Sequence, residues 1–100
     1  MALICTVGDI TTGHDACPPV PIVTGTPAFT VNGKPVVLVG DQGEVHSCPA
    51  HVPHTPICTK GSAIFKVNGI PVMRVGDEVN GGGCSGQVMA TGDGAVDISR

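Results

Sequence analysis

Residues 25–41 read GTPAFTVNGKPVVLVGD and residues 61–77 read GSAIFKVNGIPVMRVGD, a gapless self-match at an offset of 36. In each copy two apolar side chains stand two apart, Phe29 and Val31 or Phe65 and Val67, before an Asn-Gly pair. Asn-Gly is the strongest short-range hairpin signal, because both residues tolerate the positive φ that a two-residue turn demands. Each copy is therefore predicted to be a strand, a turn at Asn32-Gly33 or Asn68-Gly69, and a second strand through Val36–Val39 or Val72–Val75, closed by Gly-Asp.

Working outward, LICTVGD (3–9) repeats only the second strand and its Gly-Asp, and GDGAVDI (92–98) repeats only the first. If the two terminal strands pair, they complete a third, split hairpin. The expected fold is all-β: a small conical, or pyramidal, repeat of three β-hairpins with pseudo-threefold order.

Composition agrees with that expectation. Among 100 residues there are 15 Gly and 9 Pro, which long helices do not tolerate, and the only aromatics are Phe29 and Phe65. Core bulk must come from aliphatic side chains. The formal charge is −3 and the five basic residues are scattered, so the basic patch and stacking aromatics of a nucleic-acid binder are missing. No apolar run approaches the roughly 20 residues of a bilayer span, and the N-terminus lacks the features of a secretory signal. Cytoplasmic synthesis without a cleaved signal is expected. With it, and with an odd count of five cysteines, come reduced thiols and no disulfides.

The hairpins are joined by connections with few regular features, 10–24, 42–60 and 78–91, which hold all four histidines and four of the five cysteines. Loops of that length call for a function or an internal clamp. GDITTGH (8–14) and GDQGEVH (40–46) place a histidine at the same distance from Gly-Asp, and the third Gly-Asp is followed by Cys84. In a threefold arrangement His14, His46 and Cys84 converge. Imidazole and thiolate are zinc's preferred ligands, and a structural site takes four. His51, His54, Cys17, Cys48 and Cys58 are all candidates for the fourth. Iron accepts the same donors and is the weaker expectation.

A catalytic reading is less well supported. Asp9, Asp41 and Asp77 recur with the turns and are read as turn and capping residues rather than general bases. GGG (81–83) has neither the strand-to-helix context nor the Lys-Ser/Thr of a phosphate loop.

These residues together resemble the PAAR-repeat family, whose members sharpen the tips of contractile injection machines such as the type VI secretion system. The family's Pro-Ala-Ala-Arg tract corresponds to Pro35-Val36-Val37-Leu38 and Pro71-Val72-Met73-Arg74, each followed by Val-Gly-Asp. GDITTGHDACPPVPIVTGTP looks like the family's opening loop, and HSCP with a histidine seven residues before Gly-Ser looks like its middle loop. The resemblance implies a zinc near a vertex, held by three histidines and one cysteine. Carried over position by position, these are His14, His46, His54 and Cys84. His51 competes with His54 for its slot, and Ser85 stands after Cys84 where the family usually has Gly.

The implied role is mechanical: a non-enzymatic tip seated on a trimeric VgrG-type spike, sharpening it for membrane piercing and able to mount effectors for delivery. The chain is expected to be a single domain over 1–100 without a fused effector, acting as a monomer on its trimeric partner. It is then exported through the contractile apparatus into the target cell or medium. The competing expectation is a small zinc hydrolase or thiol enzyme acting on the target envelope.

Overall fold

At both Asn-Gly pairs the backbone turns with positive φ at both central residues: Asn32 52° and Gly33 78°, Asn68 52° and Gly69 80°. The computed structural model describes residues 2–13, 17–48, 51–82 and 86–98, the side chains of 47, 48, 51 and 52 excepted. Its strands are β1 (Ala2–Ile4), β2 (Thr26–Val31), β3 (Lys34–Val36), β4 (His46–Cys48), β5 (His51–His54), β6 (Lys66–Val67), β7 (Ile70–Pro71) and β8 (Asp93–Ile98). No helix occurs among the described residues. The all-β expectation holds.

β2 pairs antiparallel with β3, β6 with β7, and β1 with β8, so the terminal strands do form the split third hairpin. Register follows the repeat: Val31↔Lys34, Val67↔Ile70 and Ala2↔Ile98 are equivalent pairs, as are Thr30↔Pro35, Lys66↔Pro71 and Leu3↔Asp97. In β1–β8 and β2–β3 the register then shifts, bringing Ile4 opposite Asp93 and Val36 opposite Thr26.

The three hairpins are locked by a closed ring of backbone hydrogen bonds. Val37 N–H donates to Cys5 O (3.0 Å), Met73 to Val37 O (2.9 Å) and Cys5 to Met73 O (3.0 Å). A second set, Val7 to Pro35 O, Val39 to Pro71 O and Val75 to Leu3 O, runs in the same sense at 2.9–3.0 Å. Strand edges that would stay open in isolated hairpins are thus satisfied by the neighbouring copy. The long axis of the molecule is 37 Å and the other two are both 23 Å, as a body built around a threefold axis requires.

Side chains fill that axis in threes. Ile4, Val36 and Val72 form one fully buried layer, and Cys5, Val37 and Met73 the next. Nearer the Asn-Gly turns, Phe29 stacks on Phe65 with ring centroids 5.4 Å apart, and Val96 takes the third position. At the opposite end each copy closes with one turn, in which the aspartate carboxylate accepts the N–H three residues back. The bonds are Asp9 to Thr6 N at 2.8 Å, Asp41 to Leu38 N at 2.7 Å and Asp77 to Arg74 N at 2.8 Å. Asp77 also receives both Arg74 Nε and Nη2 at 2.9 Å.

The connections depart from the sequence expectation. They are bridged at Ile10↔Pro21, Gln42↔Ile57 and Glu78↔Val88, and across copies at Thr11↔Met89 and Ile22↔Gly43. The middle connection, expected to have few regular features, contains the hairpin β4–β5. Pro53 stands within β5 at an exposed position, where a lone two-stranded pair tolerates proline.

Candidate metal centre

The β4–β5 register sets His46 directly opposite His54. Their Nε2 atoms lie 2.8 Å apart, with the rings edge to face and centroids 4.5 Å apart. His46 is buried at 4% exposure, and its Nδ1 lies 3.1 Å from the Pro18 carbonyl. A carbonyl only accepts, so His46 Nδ1 carries the proton and Nε2 presents its lone pair towards His54. A fixed partner on the far nitrogen is the usual way a ligating imidazole is oriented.

Cys17, 4% exposed, completes the cluster: its Sγ and the ring nitrogens of His46 and His54 all lie within 4.8 Å of one another. Tetrahedral zinc, with Zn–N of about 2.0–2.1 Å and Zn–S of about 2.3 Å, needs ligand atoms roughly 3.3–3.6 Å apart. The histidine pair would open by about half an ångström and the sulfur draw in by at most about 1.5 Å to meet that geometry. One buried and one half-buried imidazole with a buried sulfur at this spacing suit a transition metal and poorly suit calcium or magnesium.

Of the four residues expected to hold the metal, the structure brings His46 and His54 together. His14 and Cys84 lie outside the described residues, as does the side chain of the competing His51. The expectation of wholly reduced thiols is corrected: Cys17 is disulfide-bonded, with a partner outside the described side chains. An odd cysteine count forbids complete pairing but permits one bond.

Cys58, another candidate for the fourth ligand, is a free thiol in the core beside Ile22 and Met89, and Cys5 is a free thiol in the adjoining layer. Burial pushes the Cys58 thiol up to about 12, with Asp41 adding to the effect. Burial also raises Cys5 strongly, reinforced by Asp9. Neither is poised to be a thiolate.

Sequence reading missed the framework beneath the cluster. Gln87, fully buried, accepts from Thr11 Oγ1 at 2.7 Å and donates to Val79 O at 3.1 Å, tying the first connection to the third. Thr11 Oγ1 in turn accepts Val20 N–H at 3.3 Å. A lone Gln in a Gly-rich loop carries no pattern that would reveal this.

A small all-β body with threefold backbone order and a His/His/Cys cluster among its long connections defines a class: a β-hairpin repeat with a cluster that could hold a metal. The family model for the PAAR motif matches residues 12–89, and the chain belongs to that family, one of structural spike-tip proteins. A search of curated proteins found no match. No helix among the described residues is long and apolar enough to cross a membrane.

Proposed function

We propose that this chain is the metal-stabilised, non-enzymatic tip of a trimeric VgrG-type spike in a contractile injection machine. The observation that supports it best is the closed ring through Cys5, Val37 and Met73, which gives one chain the threefold backbone order needed to sit on a three-chain partner. The strand ends and Asn-Gly turns form the end that docks, and the long connections form the leading end. Zinc bound by His14, His46, His54 and Cys84 would cross-link the three connections, and its binding energy would add to folding stability. Residues 1–100 act as one unit that is exported with the spike and can mount effectors for delivery.

The test has two independent arms. Untagged protein purified under reducing conditions should carry one zinc per chain, and chelation should lower its Tm; absence of stoichiometric metal refutes the metal centre. Mixed with the trimeric spike protein from the same machine, it should form a complex of one chain per trimer at micromolar concentration or below. Failure to associate refutes the capping role.

A further inference from the structure

The cluster described above contains a sulfur that the family pattern does not use. Cys17 lies in the first connection, and its sulfur is within 4.8 Å of ring nitrogens of both His46 and His54. The next residue supplies the carbonyl that orients His46, at 3.1 Å from Nδ1. Cys17 is also held firmly from behind. A Cβ on Gly13 would come within 2.7 Å of the Cys17 carbonyl oxygen and 2.9 Å of the Pro18 carbonyl carbon, so the chain doubles back here in tight backbone contact. The backbone that carries this sulfur is therefore closely constrained beside the histidine pair.

The same sulfur is disulfide-bonded. A disulfide sulfur has no thiolate to offer, and thiolate is the form that ligates a metal. The two uses of Cys17 exclude each other.

We propose that Cys17, when reduced, takes one of the four ligand positions of this metal centre beside His46 and His54, in place of one of the residues that the family pattern implies, and is withdrawn from it when oxidised, so that metal occupancy is gated by thiol–disulfide exchange. This rests on the reading of the cluster as a metal centre. On reduction, two electrons and two protons from a dithiol reductant convert the disulfide into two thiols, and Cys17 gives up its proton on binding the metal. On oxidation by a small-molecule disulfide, the Cys17 thiolate and its partner thiol form one S–S bond, the oxidant is released as two thiols with one proton taken up from solvent, and the metal leaves a site short of a sulfur. A metal loaded in a reducing compartment would thus be lost in an oxidising one.

The experiment uses the full chain, reduced with dithiothreitol, loaded with zinc and desalted under argon. Addition of oxidised glutathione should release zinc to a chromogenic chelator in step with the loss of free thiols. In Cys17→Ser the reduced protein should bind zinc at least about tenfold more weakly, since losing a ligand should cost no less than losing the partner of one. As a measurement independent of how well that variant folds, zinc-edge X-ray absorption on reduced Cys84→Ser should retain a sulfur shell at about 2.3 Å. Zinc retained by the fully oxidised parent, parent-like affinity in Cys17→Ser, or loss of the sulfur shell in Cys84→Ser overturns the role of Cys17 and leaves the metal centre standing. Failure of the reduced parent to take up any zinc overturns both.

Discussion

Gly92 and Gly94 stand two residues apart at the start of β8, and the structure predicts opposite outcomes on replacing each with alanine. A Cβ on Gly92 would lie 2.9 Å from both the Ile4 carbonyl oxygen and Leu3 Cβ, and 2.8 Å from a Val75 methyl. Those distances are at least 0.5 Å short of the 3.4 Å at which ordinary contact begins, and two of the three obstacles belong to the paired strand β1 and cannot swing away. Forcing a methyl into such a site costs about 1–3 kcal/mol. For a domain of this size each kcal/mol lowers Tm by roughly 4–8 °C. Gly94 has nothing within 4 Å of its Cβ position and no positive φ, so Gly94→Ala should be neutral or stabilising by about 0.4–1 kcal/mol through the unfolded chain. The threefold order adds a stricter requirement. Gly25 and Gly61 meet the equivalent obstacles, the Val36 carbonyl oxygen at 2.9 Å and the Val72 carbonyl oxygen at 2.6 Å, so all three alanine variants should be destabilised alike. Urea unfolding with metal content held constant is the assay. Equal midpoints for Gly92→Ala and Gly94→Ala, or one tolerated member among the three, would refute the reasoning.

Three further outcomes are expected. Gln87→Met keeps the volume but strands the Val79 carbonyl and Thr11 hydroxyl, and should cost about 1–3 kcal/mol in urea unfolding. Cys5 and Cys58 should resist iodoacetamide at pH 8 in the folded protein and react once it is unfolded in guanidinium, as peptide mass spectrometry would read. Because burial raises both thiols above the ordinary 9.0, the unfolded state loses their protons first, and stability should fall as pH rises above about 9, by up to about 1.4 kcal/mol per pH unit for each thiol. The Asp93 carboxylate is held below its ordinary 3.8 by the Ala95 N–H, then by Asn32 and Lys34, so its contribution is present above that value and is lost as pH falls below it. Asp93→Asn should reduce the difference in urea midpoint between pH 7 and pH 3; an unchanged difference would contradict this assignment.

Most of the fold could be read from the chain because the repeat is gapless: one Asn-Gly register, transferred to the second copy and to both termini, fixes three hairpins at once. Hydrogen bonds around the ring follow from that register. The β4–β5 hairpin was not legible, since its strands are short and carry proline in a segment with no repeat to compare. At the site, His46 stood out by its spacing after Gly-Asp and His54 by the resemblance to the family's middle loop, whereas Cys17 was only one of several alternatives. Its place beside the two histidines accompanies a fold-back at Gly13 that juxtaposes backbone atoms and leaves no side-chain pattern. Gln87 escaped notice for a similar reason: a buried hydrogen bond between distant loops has no period.

The pairing of Ala2 with Ile98 reproduces that of Lys34 with Val31, where two residues suffice to make the link. The opening in the chain could therefore be moved to any of the three hairpins: a short Asn-Gly bridge between Ile98 and Ala2, with a new break at Asn32-Gly33, would preserve every layer of the axis. It follows that polypeptide attached before Ala2 or after Ile98 departs beside the Asn-Gly turns. Attached sequences and the histidine cluster thus occupy opposite poles of the molecule, and neither need disturb the other.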